Sequence, residues 1–377
     1  MRWFCLIEID FRKSLGGFTE REDYNMKKRI LAVLAVAVLA AASVFAGCGS
    51  AGDTKNSADS SVQGTNDAAE GDVITIKSCF ATGMTGAVNR FAIEKGLYRE
   101  LGIEFENIDW TSNDEVLSMI TRGEIEVADG DPSSSIPGIY NGVPAKLVGN
   151  MWRYSGCYWL VANNDIESIA DLAGKKVGTS GAAGGMRLSV LKMLEENGIS
   201  EEDVELVANG AYQNAYATLV SGEVDATIIH NPYAALAEAD GVGHILGRAW
   251  DYIPDYYTGT IIASDDIIQN NPEKLQRFIT AYYQVHEEVK NEYFDEFVSW
   301  AAEQMNTTEE VMRTAIESEI DVWLDYPVIP EERLNRTVEI LKEYGWLDAD
   351  INAEGTYNNE FAVKAAEELG LTDPESK

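Results

Sequence analysis

RGEIEVADGDPSSSI (residues 122–136) and SGEVDATIIHNPYAAL (residues 221–236) say nearly the same thing twice. In each, a helix-like run ends at Gly, Glu follows, and a short apolar stretch leads through polar residues to Pro and a segment of small residues. Gly123 to Pro132 is nine steps and Gly222 to Pro232 is ten, so the copies differ by one insertion. The grammar is helix, tight turn, strand, helix with Pro in its first turn. Two such phrases at matching places predict a chain built from two similar halves.

The surrounding elements repeat as well. DVITIKSCF (72–80) alternates as a strand and runs into ATGMTG. A helix is expected through AVNRFAIEKGLYREL, with Phe91, Leu97, Tyr98 and Leu101 on one face. After Gly102, IEFENIDW reads as a strand. SNDEVLSMITRG reads as a helix capped by Ser112 or Asn113. The quoted phrase, a Pro132 helix and the strand AKLVGNM complete the first pass. The second pass runs from KKVGTSGAAGG (175–185) through MRLSVLKMLEENG, VELVAN, YQNAYATLVSG and the second phrase to GHILG. Five elements recur in one order, and strands alternating with helices predict an α/β fold with largely parallel sheets.

GCYWLVANNDIESI and TGTIIASDDIIQNN each read as a strand followed by an acidic turn opening a helix. They are expected to cross between the halves as paired hinge strands, at about 157–163 and 257–263. Past Pro272 the pattern is helical, with Asn271 as cap and a Thr307-x-x-Glu310 capping box further on. These helices are expected to wrap back on the first lobe.

The first 72 residues are of a different kind. Residues 30–46, ILAVLAVAVLAAASVFA, are apolar, follow Lys27-Lys28-Arg29 and precede Gly47-Cys48, the pattern of a secretory signal. The small residues before Cys48 resemble a bacterial lipobox, with Phe45 where Leu is usual. That resemblance implies lipidation of Cys48. Residues 1–25 do not fit a signal, and Met26 reads as the start. Removing 1–47 takes seven basic and five acidic residues from totals of 29 and 63, leaving a net charge of −36. Such a chain repels nucleic acid and anionic headgroups. Residues 48–72 read as a lipid-anchored flexible tether. The expected division is then 73–160 for lobe 1, 161–258 for lobe 2, and 259–377 for the return to lobe 1 and the C-terminal helices. Cys79 and Cys157 lie in apolar strand-like runs and read as buried free thiols. Three histidines and no Cys-x-x-Cys give no metal site or other cofactor.

In open α/β sheets, ligands sit beyond the carboxyl ends of the strands. Two facing lobes therefore make a cleft lined by loops of both. The candidate ligand contacts are Thr82, Gly83, Trp110, Ser112, Asp129, Asp131 and Trp152 from the first half, and Ser180, Gly181, Ala182, Tyr212, His230, Asn231 and Thr258 from the second. Asp131 doubles as an N-cap, and Ser180 with the N–H groups of 181–184 can donate to a ligand oxygen. Trp110, Trp152 and Tyr212 stand at equivalent strand ends, where aromatic rings cover carbon surface. Tyr158 and Trp159 read as core, and His244 and His286 as structural or solvated. Asp129 and Asp131 disfavour a bare inorganic anion. GTSGAAGG lacks GK[ST] and is no nucleotide loop.

AIEKGLYRELGIEFE, MITRGEIEVADGDPSS, DLAGKKVGTSGAAGG, LVSGEVDATIIHNPY and the lipoprotein-like start resemble the nitrate/sulfonate/taurine and thiamine-pyrimidine-precursor family of substrate-binding proteins of ABC importers. The resemblance spans roughly residues 73–300. It implies a two-lobed type II periplasmic-binding-protein fold, a small organic solute, a permease partner, membrane attachment through the lipid anchor only, and no catalysis. A taurine-like sulfonate and a thiamine-precursor pyrimidine both suit it, and enzymes on the same fold form the competing class. One departure stands out: His230-Asn231 occupies the place where the family often carries Trp and an acidic residue.

Overall fold

The computed structural model describes residues 73–110, 112–151, 156–182, 184–323 and 326–373. The signal-like segment, the tether, Cys48 and Trp152 lie outside them.

The repeated phrase is explained by its own hydrogen bonds. Gly123 and Gly222 stand at φ 72° and 73°, a left-handed conformation that only glycine adopts at little cost. Each closes a helix, with its N–H on Ile120 O or Leu219 O and the next residue's N–H on Met119 O or Thr218 O. Ile125 and Val224 then turn inward and are buried. The acid that follows zips the coming strand to its neighbour. Lys77 N–H donates to Glu126 Oε2 at 2.9 Å while Glu126 N–H donates to Lys77 O. In the second half Lys176 N–H donates to Asp225 Oδ2 at 2.9 Å, and Asp225 N–H to Lys176 O. The Glu/Asp of each phrase is therefore a sheet fastener.

The first sheet holds β1 (Ile74–Cys79), β2 (Ile103–Asn107), β3 (Val127–Gly130), β4 (Ala145–Asn150) and β10 (Thr260–Ser264). The second holds β5 (Trp159–Ala162), β6 (Lys176–Thr179), β7 (Glu205–Ala208), β8 (Ala226–Ile229) and β9 (His244–Arg248). Their orders are β2-β1-β3-β10-β4 and β7-β6-β8-β5-β9, so β6, β7, β8, β9 and β5 stand where β1, β2, β3, β4 and β10 do. The duplication read in the sequence is the duplication of the fold.

The connecting strands differ from expectation in one respect. β5 and β10 do not pair with each other. Each enters its new sheet antiparallel to both neighbours, β5 between β8 and β9 and β10 between β3 and β4, each with a register shift against its outer neighbour. The chain thus crosses between sheets twice, through the segments ahead of β5 and β10.

In the first lobe, α1 (Ala87–Lys95) and α2 (Leu97–Glu100) replace the single expected helix, because Gly96 at φ 89° interrupts it. Phe91, Leu97 and Tyr98 still share one core. α3 (Asn113–Arg122) and α4 (Pro132–Tyr140) cover the other face. The second lobe carries α5 (Gly185–Glu196), α6 (Tyr212–Ser221), α7 (Tyr233–Ala239) and the short α8 (Ala249–Tyr252). After β10 come α9 (Asp265–Asn270), α10 (Pro272–Asn291), α11 (Phe294–Gln304), α12 (Glu309–Glu317), α13 (Glu331–Glu343) and α14 (Glu360–Leu369). Asn271 precedes α10 with Pro272 at its first position, and the cap of α12 is Thr308, one residue beyond the expected Thr307.

α10 lies in the first-lobe core, with Leu275, Phe278, Ile279 and Tyr282 buried against Ile76, Phe80 and Met84. The later helices touch both lobes, which the sequence pattern did not convey. α12 packs on α7, and α13 packs on α4 while Ile340 and Leu341 meet Leu188 of α5. Among the described residues no helix is long and apolar enough to cross a membrane.

Candidate functional site

The strand ends of both sheets open on one cleft of about 980 Å³. From the first lobe it is lined by Thr82 and Thr85 after β1, Trp110 after β2, Ser112 at the cap of α3, and Asp129 and Asp131 around the end of β3. Ser180, Tyr212 and His230 face them from the ends of β6, β7 and β8, and Thr258 lies in the return crossing. These are the equivalent loops of the two passes, as the duplication requires.

Asp131 has both roles weighed for it. Its Oδ1 accepts from Ser133 N–H at 2.8 Å, capping α4, and the residue lines the cleft. Asp129 is more deeply set, at 3% exposure. Its Oδ2 accepts from Ala81 N–H at 2.8 Å, while Oδ1 is buried with no hydrogen-bond partner. Burial pushes the Asp129 carboxyl up to about 7 and Asp131 up to about 6, with the backbone donors of Ala81 and Ser133 pulling the other way. Cys79 and Cys157 are both buried; burial, and then the nearby Asp129 charge, push the Cys79 thiol up to about 12.

Tyr212 bridges the lobes. It opens α6 at φ 51°, a left-handed conformation costing a non-glycine residue about 1 kcal/mol. Its ring stacks on His230 with centroids 4.7 Å apart, and Tyr158 meets the same imidazole edge-on at 5.0 Å. Its hydroxyl lies 2.9 Å from Thr85 Oγ1 and donates to Thr82 O at 3.4 Å, both in the first lobe. A ring stack and a hydrogen bond, each worth about 1 kcal/mol, offset the backbone strain. Gly83 allows the approach: a Cβ there would lie 2.6 Å from Tyr212 Cε1.

Four candidates stand elsewhere. Gly83 backs Tyr212. Gly181 and Ala182 are off the cleft wall, and Gly181 O accepts from Thr179 Oγ1 at 3.0 Å, which folds the turn, while Gly184 and Gly185 do line the cleft. Asn231 is buried, and its Nδ2 donates to Ala315 O, Ser318 Oγ and Glu319 Oε2 while Oδ1 accepts from Ala235 N–H. Its side chain ties the second lobe to the C-terminal helices. Trp159 is core, as read, and its indole donates to Glu319 Oε2. Tyr158 belongs to the second-lobe core, as read, and also lines the cleft, because the strand begins one residue later and leaves Tyr158 in the crossing. Leu341 and Trp346, near the end of α13, were missed because their periodicity reports only a helix face. The Gly-Trp pair after α13 was the one available cue.

A model of the family described as NMT1/THI5 like matches residues 88–292, from α1 to just past α10. The chain belongs to the NMT1/THI5-like family. This NMT1/THI5-like chain is 22% identical over 285 residues to the candidate binding protein YtlA of Bacillus subtilis, covering 74% of this chain and 85% of that one. It is 21% identical over 205 residues to the 4-amino-5-hydroxymethyl-2-methylpyrimidine phosphate synthase THI5 of Saccharomyces cerevisiae, covering 50% and 58%. The alkanesulfonate-binding protein SsuA from Xanthomonas axonopodis pv. citri, bound to MOPS, matches with a TM-score of 0.63 at 14% identity, covering 77% of this chain and 99% of that one. The periplasmic nitrate-binding protein NrtA from Synechocystis PCC 6803 matches with a TM-score of 0.62 at 14% identity, covering 79% and 89%. The NMT1/THI5-like chain thus has the two-lobed periplasmic-binding-protein fold of these neighbours.

Proposed function

We propose that the protein is the extracytoplasmic receptor of an ABC importer, held at the membrane by lipid on Cys48, and that it captures a small organic solute between its lobes. The observation that carries this reading is the cleft itself: equivalent loops of two sheets of one topology face each other, and two crossings join them. Such an arrangement can close on a guest by rotation about the crossings. Thr82, Trp110, Ser112, Asp129, Asp131, Ser180, Tyr212, His230 and Thr258 are the proposed contacts, with Gly83, Gly181, Ala182 and Asn231 supporting them. The permease is the proposed protein partner. Solved neighbours named for alkanesulfonate and nitrate binding support a receptor over an enzyme.

A ring guest is the second reading, favoured by the aromatic walls and by the pyrimidine phosphate synthase relative. A thermal-shift screen of sulfonates, amines, pyrimidines and flavins tests the receptor reading. A stabilising solute whose effect is lost in Tyr212→Ala is expected, and a protein indifferent to all four classes refutes it. Cys48→Ser should release leader-cleaved protein to the soluble fraction, and unchanged membrane retention of a leader-cleaved protein would contradict the anchor.

A further inference from the structure

The cleft has a charge that an oxyanion receptor should lack. Asp114, Asp129 and Asp131 line it, and among the described lining residues there is no lysine or arginine. An acidic cluster alone says little, but Asp129 adds a separate observation. It is 97% removed from solvent, and one carboxylate oxygen has no hydrogen-bond partner. Buried polar atoms are almost always partnered, so an orphaned carboxylate oxygen beside an open cleft marks a place for a donor or a counter-charge that is supplied from outside. The remaining walls carry the rings of Trp110, Tyr158, Tyr212 and Trp346. Indole and phenol faces attract organic cations, and they do so more strongly where water is excluded.

We infer that the solute is a small organic molecule that carries a positive nitrogen, cationic or zwitterionic, with that nitrogen toward Asp129 and its carbon surface against the aromatic walls. This rests on the receptor reading above. A sulfonate or nitrate without an amine meets three carboxylates and, among the described lining, no lysine or arginine, the donors there being hydroxyl, amide, indole, imidazole and backbone groups. A cation placed in the cleft acts on Asp129 through space even before a direct hydrogen bond forms.

The proton balance gives this inference its own signature. Asp129, pushed up to about 7 by burial, holds part of a proton at neutral pH without a guest. The titratable groups near it are Cys79 of β1 and Tyr98 of α2, both pushed upward and neutral there, and the cleft wall adds Asp131 at the α4 cap, Asp114 of α3 and His230 after β8. A bound cation favours the carboxylate, so binding expels protons and weakens as pH falls from 7.5 to 5.5.

The test is calorimetry on the full chain with choline, taurine, isethionate and potassium nitrate, each in two buffers of different ionisation enthalpy. Taurine and isethionate share a sulfonate and differ in ammonium against hydroxyl. The expected result is binding of choline or taurine with proton release, no binding of isethionate or nitrate, and at least a tenfold loss in Asp129→Asn. Asp131→Asn, which keeps a capping side chain, should bind more weakly while folding normally. Isethionate or nitrate binding within threefold of equal in wild type and Asp129→Asn overturns the cation while leaving the receptor reading standing. Failure of both choline and taurine to bind also overturns it.

Discussion

Glu126 and Asp225 show at the residue scale how a motif can look functional and be architectural. Each carboxylate holds the N–H of the neighbouring strand, and Glu126 also receives Lys274 Nζ at 2.7 Å on both oxygens. A charge-assisted hydrogen bond of this kind contributes about 1.5–3 kcal/mol, less where it is partly exposed. Glu126→Ala should therefore destabilise the protein by about 2 kcal/mol, and Asp225→Ala by about 1 kcal/mol, in urea unfolding without changing solute affinity. A weakened affinity at unchanged stability would place them in the site instead. Asp129 carries a pH dependence whose sign can be worked out. Its folded value near 7 lies above the ordinary 3.8, so between about pH 4 and 7 the folded state holds a proton that the unfolded chain has lost. That contribution destabilises the protein as pH rises. Asp131, raised to about 6, acts in the same direction, and His286, buried and pushed down to about 3, acts the other way below its ordinary 6.5, so the wild-type melting curve mixes these groups. The difference isolates Asp129: Asp129→Asn should gain melting temperature over wild type at pH 8 and gain little at pH 4.5. An equal gain at both would show that Asp129 is not titrating.

At the scale of elements, the contact that matters most is the start of α6 against the loop after β1. Tyr212 and Gly83 each adopt a left-handed conformation, and they meet between the lobes. Tyr212→Phe keeps the stack on His230 and removes the hydroxyl bridge to Thr85 and Thr82. It should raise the radius of gyration of the solute-free protein in small-angle scattering. Gly83→Ala should act in the same direction, because its methyl group displaces the ring. An unchanged radius in both variants would make the bridge incidental. The order of these elements was legible in the sequence, because apolar alternation and Gly and Pro punctuation report local geometry. Gly96 also looked like a minor feature of one helix, since nothing local distinguishes a helix break from a helix glycine. Tyr158 read as core without its cleft face, and Trp346 was not singled out: an aromatic residue at a buried position has one pattern whether its other side faces core or cleft. Asn231 looked like a ligand contact by position in the repeat. Its side chain instead reaches α12, a partner more than eighty positions away.

The whole molecule is two sheets of one design, spanned by later helices that touch both. Asn231 and Trp159 of the second lobe share Glu319 just beyond α12, and Leu188 meets Ile340 and Leu341 of α13. This tie limits how far the lobes can separate. Asn231→Ala leaves buried partners unsatisfied and should cost about 2 kcal/mol of stability while widening the range of interlobe distances. A loss of stability with an unchanged range would confine the residue to packing. A receptor of this design must close its two lobes over a guest, which electron–electron distance measurement reads directly. Spin labels at Glu104→Cys on β2 and Glu202→Cys ahead of β7 mark one exposed site on each lobe. Under whichever of choline and taurine raises the melting temperature, the distance distribution should shorten and narrow to a single peak. A solute that raises the melting temperature yet leaves that distribution unchanged would contradict the account.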